Sequence, residues 1–430
     1  MAYLGRLILP YEDMNNTNPT HAWPLTINLY TPWFDLLKRY ADILVKWALW
    51  WWKGVQRGEC VLCEIPLCAK PIALPLQQAI LEVGWYPVIR ILDEQLTKQF
   101  FVYADEAQRT YYPADLYEGE LQQIDHRLRI LAEDNPRLLE DISPTKLMER
   151  QQAMGPYKKA MFAKENAGKL TWTLALYGTA GMAQEANMSV EEYREQIINA
   201  CFLEHADPIA TWTHVEQSIN TIKAHLNSLD IQRIHMVGED CDIHIALGEH
   251  RSWLGGSWRN IPSFEVFTSP DRRGTNGWMR FNQPMYRHGS LVKGIELTFA
   301  DGLITKASAT ENEELLLSML QQPNANKVGE YSLTDKRLSP ITKFMADILY
   351  DENTGGEYGN THIAVGSAYK DAYTGGPLEQ VTPDQREALG FNDSVEHTDL
   401  ISTTKRKVTA VCADGSSHCI YEDGQFTFPI

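Results

Sequence analysis

A short motif near the end of the chain could bind a metal ion. His397, Thr398 and Asp399 lie in a run from Val395 to Ile401 whose pattern is typical of a strand. Side chains two residues apart in a strand share one face, so His397 and Asp399 would point the same way. An imidazole beside a carboxylate suits a divalent metal, although the H-x-D pattern alone is a weak signal.

Four other polar residues of the second half lie in apolar surroundings. His362 opens an apolar stretch after a Gly-rich loop, and Glu265 lies between aromatic and aliphatic residues. Glu330 begins a predicted strand, and Glu352 lies at the end of a predicted helix. The ordinary alternatives are a core position for the histidine and solvent exposure for the carboxylates. Together with the H-x-D motif, however, they match a site for two divalent metals, because carboxylates can bridge two cations and neutral imidazole suits zinc or cobalt.

The sequence lacks the short motifs of several large enzyme classes. It contains no G-x-G-x-x-G, G-x-x-x-x-G-K-[ST], G-x-S-x-G or H-E-x-x-H. A nucleotide fingerprint is therefore missing, and the local signatures of ordinary serine hydrolases and zincins are missing as well.

The first half of the chain alternates strands and helices in a way that is typical of a parallel sheet. Glu59–Ile65 and Pro87–Leu92 are predicted strands, and Pro71–Val83 is the predicted helix between them, which Gly84 can end. This βαβ unit implies a parallel sheet with helices packed on it. Further predicted elements are a strand over Leu170–Tyr177, a helix from Ser189 to Phe202 with Glu192 in a capping box, and a helix from Asp207-Pro208 to about Leu226.

After Asp230 the pattern changes to short alternating strands and Asp-Gly turns, which predict a mostly antiparallel sheet. Examples are strands over Asp242–Leu247 and Ile295–Phe299 and turns at Asp301-Gly302, Asp414-Gly415 and Asp423-Gly424. Two helices are predicted, one over Glu311–Gln321 and one that starts at Ser339-Pro340 and buries Ile341, Phe344, Met345 and Ile348. With a boundary near 228–234, residues 1–230 form an N-terminal α/β domain with a mostly parallel sheet. Residues 231–430 form a C-terminal α+β domain, mostly antiparallel, that carries the metal site.

The composition and charge of the chain indicate which kinds of binding partner are not expected. The chain has 430 residues, of which 44% are hydrophobic and 22% charged, so it can bury a globular core. Its formal charge of −17 repels phosphate backbones, and a nucleic-acid partner is not expected. The most hydrophobic window, Trp33 to Trp52, contains five charged residues. It therefore predicts an amphipathic helix, with Trp50 to Trp52 in structural packing, and no membrane partner.

The cysteines indicate a reducing compartment. Seven cysteines, an odd number, argue against a disulfide framework. Cys60, Cys63 and Cys68 have no fourth zinc ligand at suitable spacing, so we expect core thiols. The apolar stretch in Met1 to Pro10 is too short for a secretory signal. The cytoplasm is the simplest location.

Six blocks of the second half form a recognisable series. They are Asn260–Arg273, Met285–Gly289, Val328–Glu330, Tyr350–Asn353, His362–Tyr369 and Gly390–Asp399. In this order they resemble the aminopeptidase T, aminopeptidase S and PepS group of dinuclear metallo-aminopeptidases. The resemblance extends more loosely to Tyr40–Val45 and Trp172–Gly178, and so covers nearly the whole chain.

Matching these blocks residue by residue gives the site that the resemblance implies. Tyr369 falls on an active-site tyrosine of the family, and Thr354–Thr361 is an insertion that could re-aim the preceding glutamate. The positions that match metal ligands of the family are Glu265, Glu330, Glu352, His362, His397 and Asp399.

The resemblance implies an enzyme that hydrolyses the N-terminal peptide bond of peptides with a free N-terminus. It implies a homodimer and two divalent ions per chain that activate a water, zinc or cobalt first, with magnesium or manganese as alternatives. Glu330 is the candidate bridge, Tyr369 the candidate oxyanion donor, and Glu265 or Glu330 the candidate general base. The same ligands would also suit a two-metal hydrolase of a non-peptide ester or phosphate. A binding protein with a decayed site is a third hypothesis, but all the family's ligand types are present.

Overall fold

A five-stranded parallel sheet forms the centre of the first half of the molecule. The computed structural model describes residues 32–50, 56–287, 290–376 and 380–430. The strand order is β2-β1-β3-β4-β7, and each neighbouring pair runs parallel. The strands are β1 (Cys60–Pro66), β2 (Tyr86–Leu92), β3 (His126–Leu131), β4 (Thr171–Leu176) and β7 (Asn260–Ile261).

Helices connect and cover these strands. Their ends follow local capping rules: the side chains of Ser189 and Asp207 accept backbone N–H groups at the starts of the helices Val190–Ala200 and Pro208–Ser228. Gly84, at φ +84°, ends the turn after the helix Ala73–Glu82. The helices are α1 (Pro32–Asp42, continued by a π-helical segment over Ile43–Leu49), α2 (Ala73–Glu82, preceded by a 3₁₀ segment over Leu67–Ile72), α3 (Glu94–Tyr103), α4 (Glu106–Thr110), α5 (Ala114–Gln123), α6 (Pro144–Ala153), α7 (Gly155–Asn166), α8 (Ala180–Glu185), α9 (Val190–Ala200) and α10 (Pro208–Ser228).

The second half contains two antiparallel sheets and a short ladder. The larger sheet has eight strands in the order β13-β12-β9-β6-β5-β17-β18-β19, and the smaller has four in the order β16-β15-β14-β8. The large sheet consists of β5 (Ile231–Gly238), β6 (Cys241–Ala246), β9 (Thr275–Phe281), β12 (Ile295–Ala300), β13 (Leu303–Ser308), β17 (Arg406–Cys412), β18 (Ser417–Glu422) and β19 (Gln425–Phe426). The small sheet consists of β8 (Glu265–Thr268), β14 (Val328–Thr334), β15 (Asn360–Gly366) and β16 (His397–Ser402), and the ladder of β10 (Met285–Arg287) and β11 (Ser290–Val292). The helices are α11 (Glu313–Leu320), α12 (Ile348–Asp351) and α13 (Pro383–Ala388), with a 3₁₀ turn over Lys370–Ala372.

An aromatic cluster in the core fixes the start of β8. Phe264 stacks on Trp212 of α10 with ring centroids 5.4 Å apart, and Trp212 contacts Trp258 edge to face at 5.5 Å. Trp47 packs on Trp258 from the first helical segment. Large buried aromatic rings contribute strongly to core stability. This cluster therefore holds the strand that begins with Glu265 against elements from the first half.

The fold class predicted from the sequence is confirmed: a parallel sheet with helices comes first, and antiparallel sheets follow. The predicted βαβ unit is present, and the Asp-Gly pairs at 301, 414 and 423 each form a turn between two antiparallel strands. The seven cysteines are free thiols, and Cys63 is in the core. The domain boundary at 228–234 stays a prediction. Strand β7, which follows this boundary in the sequence, pairs with β4 of the parallel sheet.

The helix predicted from Ser339 is wrong. Helix α12 covers only four residues, and Ile348, which was expected to be buried, is 50% exposed. Side chains bond the backbone of the segment: Gln196, 146 residues away, accepts the N–H of Thr342, and the nearby Asp351 carboxylate accepts the N–H groups of Met345 and Asp347. These bonds replace the bonds of a helical ladder, and the distant partner Gln196 cannot be found from the local sequence pattern. Ile341 and Met345 are buried, as expected.

The hydrophobic window near the start is helical, and its predicted apolar stripe is largely buried, including Leu37, Ala41 and Leu44. Among the described residues, no helix has the length and apolar character needed to cross a bilayer. Residues 1–31, Trp51, Trp52 and His288 lie outside the described residues, so expectations about them are not tested.

Candidate metal centre

The register of the four-stranded sheet places five of the predicted ligands on one face. His362 is paired with Ser332, and Ala364, two residues further along β15, is paired with both Glu330 and Asp399. Residues directly opposite each other in an antiparallel ladder share a face, as do residues two apart in one strand. The same rule adds His397, opposite Gly366, and Glu265, opposite Thr334. The set is therefore built by sheet register and not by proximity in the sequence.

Two groups of three candidate ligands share one carboxylate. Glu265, Glu330 and His362 form one group, and Glu330, His397 and Asp399 form the other, with their ligand atoms within 4.8 Å of one another. Glu330 Oε1 lies 3.6 Å from His362 Nε2, and Glu330 Oε2 lies 3.2 Å from His397 Nε2. Each oxygen of Glu330 thus faces a different imidazole, which is the arrangement of a bridging carboxylate.

Glu352 lies near these groups but is not part of either. It follows α12, is 9% exposed and accepts a hydrogen bond from Asn353 Nδ2 at 3.3 Å. Asn360 Nδ2 donates to the backbone oxygens of Asp351 and Glu352, both at 3.0 Å. The inserted stretch 354–361 therefore contains a residue, Asn360, that fixes the backbone of Glu352.

Tyr369 lies at the edge of the centre, three residues after β15. Its ring centroid is 4.9 Å from that of His397, and the ring packs on Phe267. Its backbone N–H donates to Ser269 Oγ at 2.8 Å. The side chain is 45% exposed. Withdrawal of its hydroxyl from water and the charge of Glu330 raise the pKa of Tyr369 well above its usual value, so the hydroxyl keeps its proton and can donate a hydrogen bond.

The carboxylates repel each other in a buried setting. Burial, followed by the charge of Glu330, raises the pKa of Glu265 to about 7. Burial and the charge of Glu265 raise the pKa of Glu352 well above its ordinary range. Buried like charges favour neutralisation by protons or by cations.

The imidazoles show the complementary effect. Burial lowers the pKa of His397, but the Asp399 carboxylate outweighs it and raises this pKa to about 12. Burial also lowers the pKa of His362, but Glu330 and Asp399 outweigh it and raise this pKa to about 9. Burial would raise the pKa of Asp399, but His397 holds it below its usual value. The buried carboxylates of the centre therefore stabilise a positive charge on either histidine, and they would stabilise a bound cation in the same way.

The donor set fits divalent metal ions. His397 Nδ1 lies 2.8 Å from the backbone oxygen of Ser367, so that Nδ1–H can donate there and Nε2 is left as a ligand. Ser332 Oγ donates to Glu265 Oε2 at 2.9 Å. Within the described part of the chain, buried atoms His362 Nδ1 and Asp399 Oδ1 have no hydrogen-bond partner. Buried polar atoms are normally satisfied, so an unpaired carboxylate oxygen beside two imidazoles is consistent with a metal ligand.

A cavity of about 680 Å³ opens onto the centre from between the two halves of the molecule. Its size is within the usual range for small-ligand sites. Residues of the first half that line it include Arg129, Leu131, Glu133 and Trp172, and residues of the second half include Tyr286, Arg287, Glu352, Tyr369, His397 and Asp399.

Sequence reasoning missed the residues that orient the ligands. Ser332 bonds Glu265, and Arg287 donates to Thr398 Oγ1 and Glu396 Oε1 at 3.0 and 2.8 Å, on either side of His397. Arg287 lies inside the block Met285–Gly289, which was a signal that could have found it. Ser332 carries no such signal, because only the sheet register places it beside Glu265.

Comparisons with known proteins agree with this geometry. Residues 35–426 match the model of the family described as thermophilic metalloprotease (M29). Aminopeptidase 2 of Geobacillus stearothermophilus is 28% identical over 93% of this chain and 99% of its own length. Aminopeptidase PepS of Streptococcus thermophilus is 26% identical over 91% and 97%.

A solved structure shows the same architecture. Wild-type AmpT from Thermus thermophilus superposes with a TM-score of 0.80 at 25% identity, covering 91% of this chain and 99% of its own. The predicted resemblance is therefore confirmed by sequence and by fold. The chain belongs to the M29 family of metalloproteases and is a metallo-aminopeptidase.

Proposed function

We propose that the enzyme removes the N-terminal residue of peptides with a free N-terminus and that it uses two divalent metal ions per chain. The observation that carries this proposal is Glu330, whose two oxygens face two separate imidazoles 3.6 and 3.2 Å away. One ion would be held by Glu265, Glu330 and His362, and the other by Glu330, His397 and Asp399, with Glu352 as a further ligand. When bound, such ions supply an acidified water and polarise the scissile carbonyl.

The protein side chains then have separate tasks. The two oxygens of Glu330 face the two imidazoles, whereas the contacts of Glu265 with Ser332 and His362 both involve Oε2, so Oε1 is engaged in neither. We therefore assign Glu265 as the general base that accepts a proton from the attacking water and passes it to the leaving amine. The hydroxyl of Tyr369 donates to the developing oxyanion, for which loss of a single donor typically costs about a hundredfold or more in turnover.

The carboxylates that line the cavity suit a peptide amine better than a phosphate. Besides Asp399, the carboxylates that line it are Glu133, Glu185, Asp347, Asp351 and Glu352, whereas its cations are Arg129 and Arg287. Arg287 is already paired with Glu396 at 2.8 Å. Glu133 and Asp347 belong to neither group of candidate metal ligands and can accept hydrogen bonds from the α-ammonium group of a peptide, a donor that a phosphate ester lacks.

The identity of the ions and the assembly are also proposals. Imidazole and carboxylate ligands suit zinc or cobalt, with magnesium or manganese as alternatives. The seven free thiols support a reducing compartment, for which we propose the cytoplasm. The homodimer implied by the resemblance remains a prediction.

Metal removal and substrate blocking test the function together. Dialysis against a chelator should abolish hydrolysis of an aminoacyl amide, and zinc or cobalt should restore it. The restored enzyme should not cleave the N-acetylated form of the same substrate. Full activity in protein shown to be free of metal would contradict the metal mechanism, and equal rates on blocked and free substrates would contradict the exopeptidase assignment.

A further inference from the structure

A second cluster of metal-ligand side chains lies on the hairpin of β5 and β6, outside the catalytic centre. It consists of His235 on β5 and Asp242 and His244 on β6. These three side chains are on the sheet face opposite the fully buried Ile234 and Ile243. The cluster shares no residue with the catalytic centre or with the cavity that opens onto it.

The register of the hairpin brings the three side chains together. His235 is directly opposite His244, and Asp242 is two residues from His244 on the same face. His235 Nε2 lies 2.9 Å from Asp242 Oδ1. The two imidazole rings stack with centroids 3.9 Å apart and planes 17° from parallel. The backbone ladder therefore fixes the spacing of the cluster before any ligand binds.

The arrangement has the chemistry of a zinc-type site. One ligand atom from each side chain lies within 4.8 Å of the other two. Ligand atoms around a tetrahedral zinc ion are roughly 3.4 Å apart, given bond lengths of about 2.0 to 2.2 Å. The nitrogen lone pairs of two nearly parallel rings do not converge on one ion, so metal binding requires one ring to turn out of the stack. The side chains of His235 and Asp242 are 34% and 60% exposed, which leaves them room to turn.

His244 supplies a further observation. Its Nδ1 is buried and, among the described residues, has no hydrogen-bond partner. A cross-strand pair selected for stability alone would normally satisfy such an atom. The neighbouring imidazole, stacked face to face, does not provide a bond to it.

We propose that His235, Asp242 and His244 form an additional binding site for a divalent transition-metal ion of the zinc class. The three protein ligands leave at least one coordination position for water or for another ligand. Because it joins the two strands of one hairpin, the bound ion stabilises the edge-to-edge pairing of β5 and β6. This site is independent of the hydrolytic centre, so its loss leaves catalysis intact.

Metal content tests the site. The full-length enzyme is dialysed to equilibrium against a fixed concentration of free zinc, and zinc per chain is measured by elemental analysis. The double variant His235→Ala/His244→Ala should bind one zinc ion per chain fewer than the wild type and hydrolyse an aminoacyl amide at the wild-type rate. The control His418→Ala removes an exposed histidine of the same sheet, on β18, and should keep the wild-type zinc content.

The test compares zinc per chain between the wild type and its variants, so its outcome does not depend on how many ions the catalytic centre holds. Equal zinc content in the wild type and the double variant would overturn the proposal, and so would equal losses in the double variant and the control. If circular dichroism shows that the double variant does not fold, Asp242→Asn replaces it. Asp242 is exposed, so this change should leave the fold intact and weaken the binding of the additional zinc ion in a titration. A titration curve identical to that of the wild type would overturn the proposal as well.

Discussion

The hydrogen bond from Ser332 to Glu265 gives a direct test of how the centre is oriented. Ser332 lies on β14, on the same face as the ligands, and its hydroxyl donates to Glu265 Oε2 at 2.9 Å. Both side chains are buried. Ser332→Ala removes the donor but keeps the strand, because alanine occupies less space than serine and needs no partner. Glu265 then loses the contact that fixes its carboxylate plane.

Two general relations give the same size for the effect of Ser332→Ala. A hydrogen bond to a charged group contributes about 1.5 to 3 kcal/mol. Loss of a residue that orients a metal ligand typically costs about tenfold to a hundredfold in metal affinity or activity. That range corresponds to about 1.4 to 2.7 kcal/mol at 25 °C. We therefore expect kcat/KM for an aminoacyl amide to fall by about tenfold to a hundredfold in Ser332→Ala.

Thr334 provides a matched control on the same strand and face. Within the described residues its buried hydroxyl has no hydrogen-bond partner. Thr334→Val keeps the shape of the side chain and removes a hydroxyl that bonds nothing, so activity and metal affinity should be unchanged. The assay is kcat/KM beside a zinc titration of the metal-free protein. The reasoning is refuted if Ser332→Ala behaves like the wild type, or if both variants lose activity equally.

Two further predictions concern the ligands. His397→Ala should lose at least one metal ion per chain and nearly all activity while keeping its circular dichroism spectrum. His288→Ala should keep its metal, because His288 lies in the block Met285–Gly289 but is not among the positions that match metal ligands of the family. The reverse metal contents would show that the site is wrongly assigned. Glu265, His362 and His397 all bind their protons more tightly in the folded metal-free chain, with pKa values of about 7, 9 and 12 against ordinary values of 4.5, 6.5 and 6.5. Protonation of these three residues stabilises the folded state fully at a pH below their pKa values in the unfolded chain. This stabilisation is lost as the pH rises through their pKa values in the folded chain. The metal-free chain should therefore melt at a lower temperature near pH 9 than near pH 6. Bound metal replaces these protons, so the gain in melting temperature on adding zinc should grow over the same range, and a gain that shrinks would contradict the linkage.

Local patterns predicted most of the elements, because each depends on residues that are close in the sequence. The Ser189 capping box and the Asp207-Pro208 start both appear as expected. The helix predicted from Ser339 failed for the opposite reason. Its backbone bonds to the side chains of Gln196, which is 146 residues away from Thr342, and of Asp351, which is six residues away from Met345. A partner as distant as Gln196 leaves no periodic signal in the sequence, and side-chain bonds of this kind override helix propensity.

The candidate ligands also differ in whether their pairing can be predicted from neighbouring residues or depends on distant parts of the chain. His397 and Asp399 could be paired from the sequence, since two residues apart in a strand is a local relation. Ser332 beside Glu265 could not be, because the pairing of β14 with β8 joins segments 67 residues apart. The resemblance to a family supplied the proposed ligand set, but it did not identify the side chains that hold these residues in place.

Glu265 shows most clearly what strand alternation leaves open. A charged residue between apolar neighbours is ordinarily assigned to the solvent face, yet Glu265 is only 9% exposed. Both faces of β8 are covered: Phe264, just before the strand, packs into the aromatic core, and Glu265 faces the polar centre. Alternation distinguishes the two faces of a strand but does not say what covers the polar one. Burial of an unpaired carboxylate is costly, so a glutamate at such a position is neutralised by a proton or compensated by polar partners and cations. His362 and Ser332 supply part of that compensation, and in the metal-free chain a proton supplies the rest. A metal ion held by Glu265 would take the place of that proton.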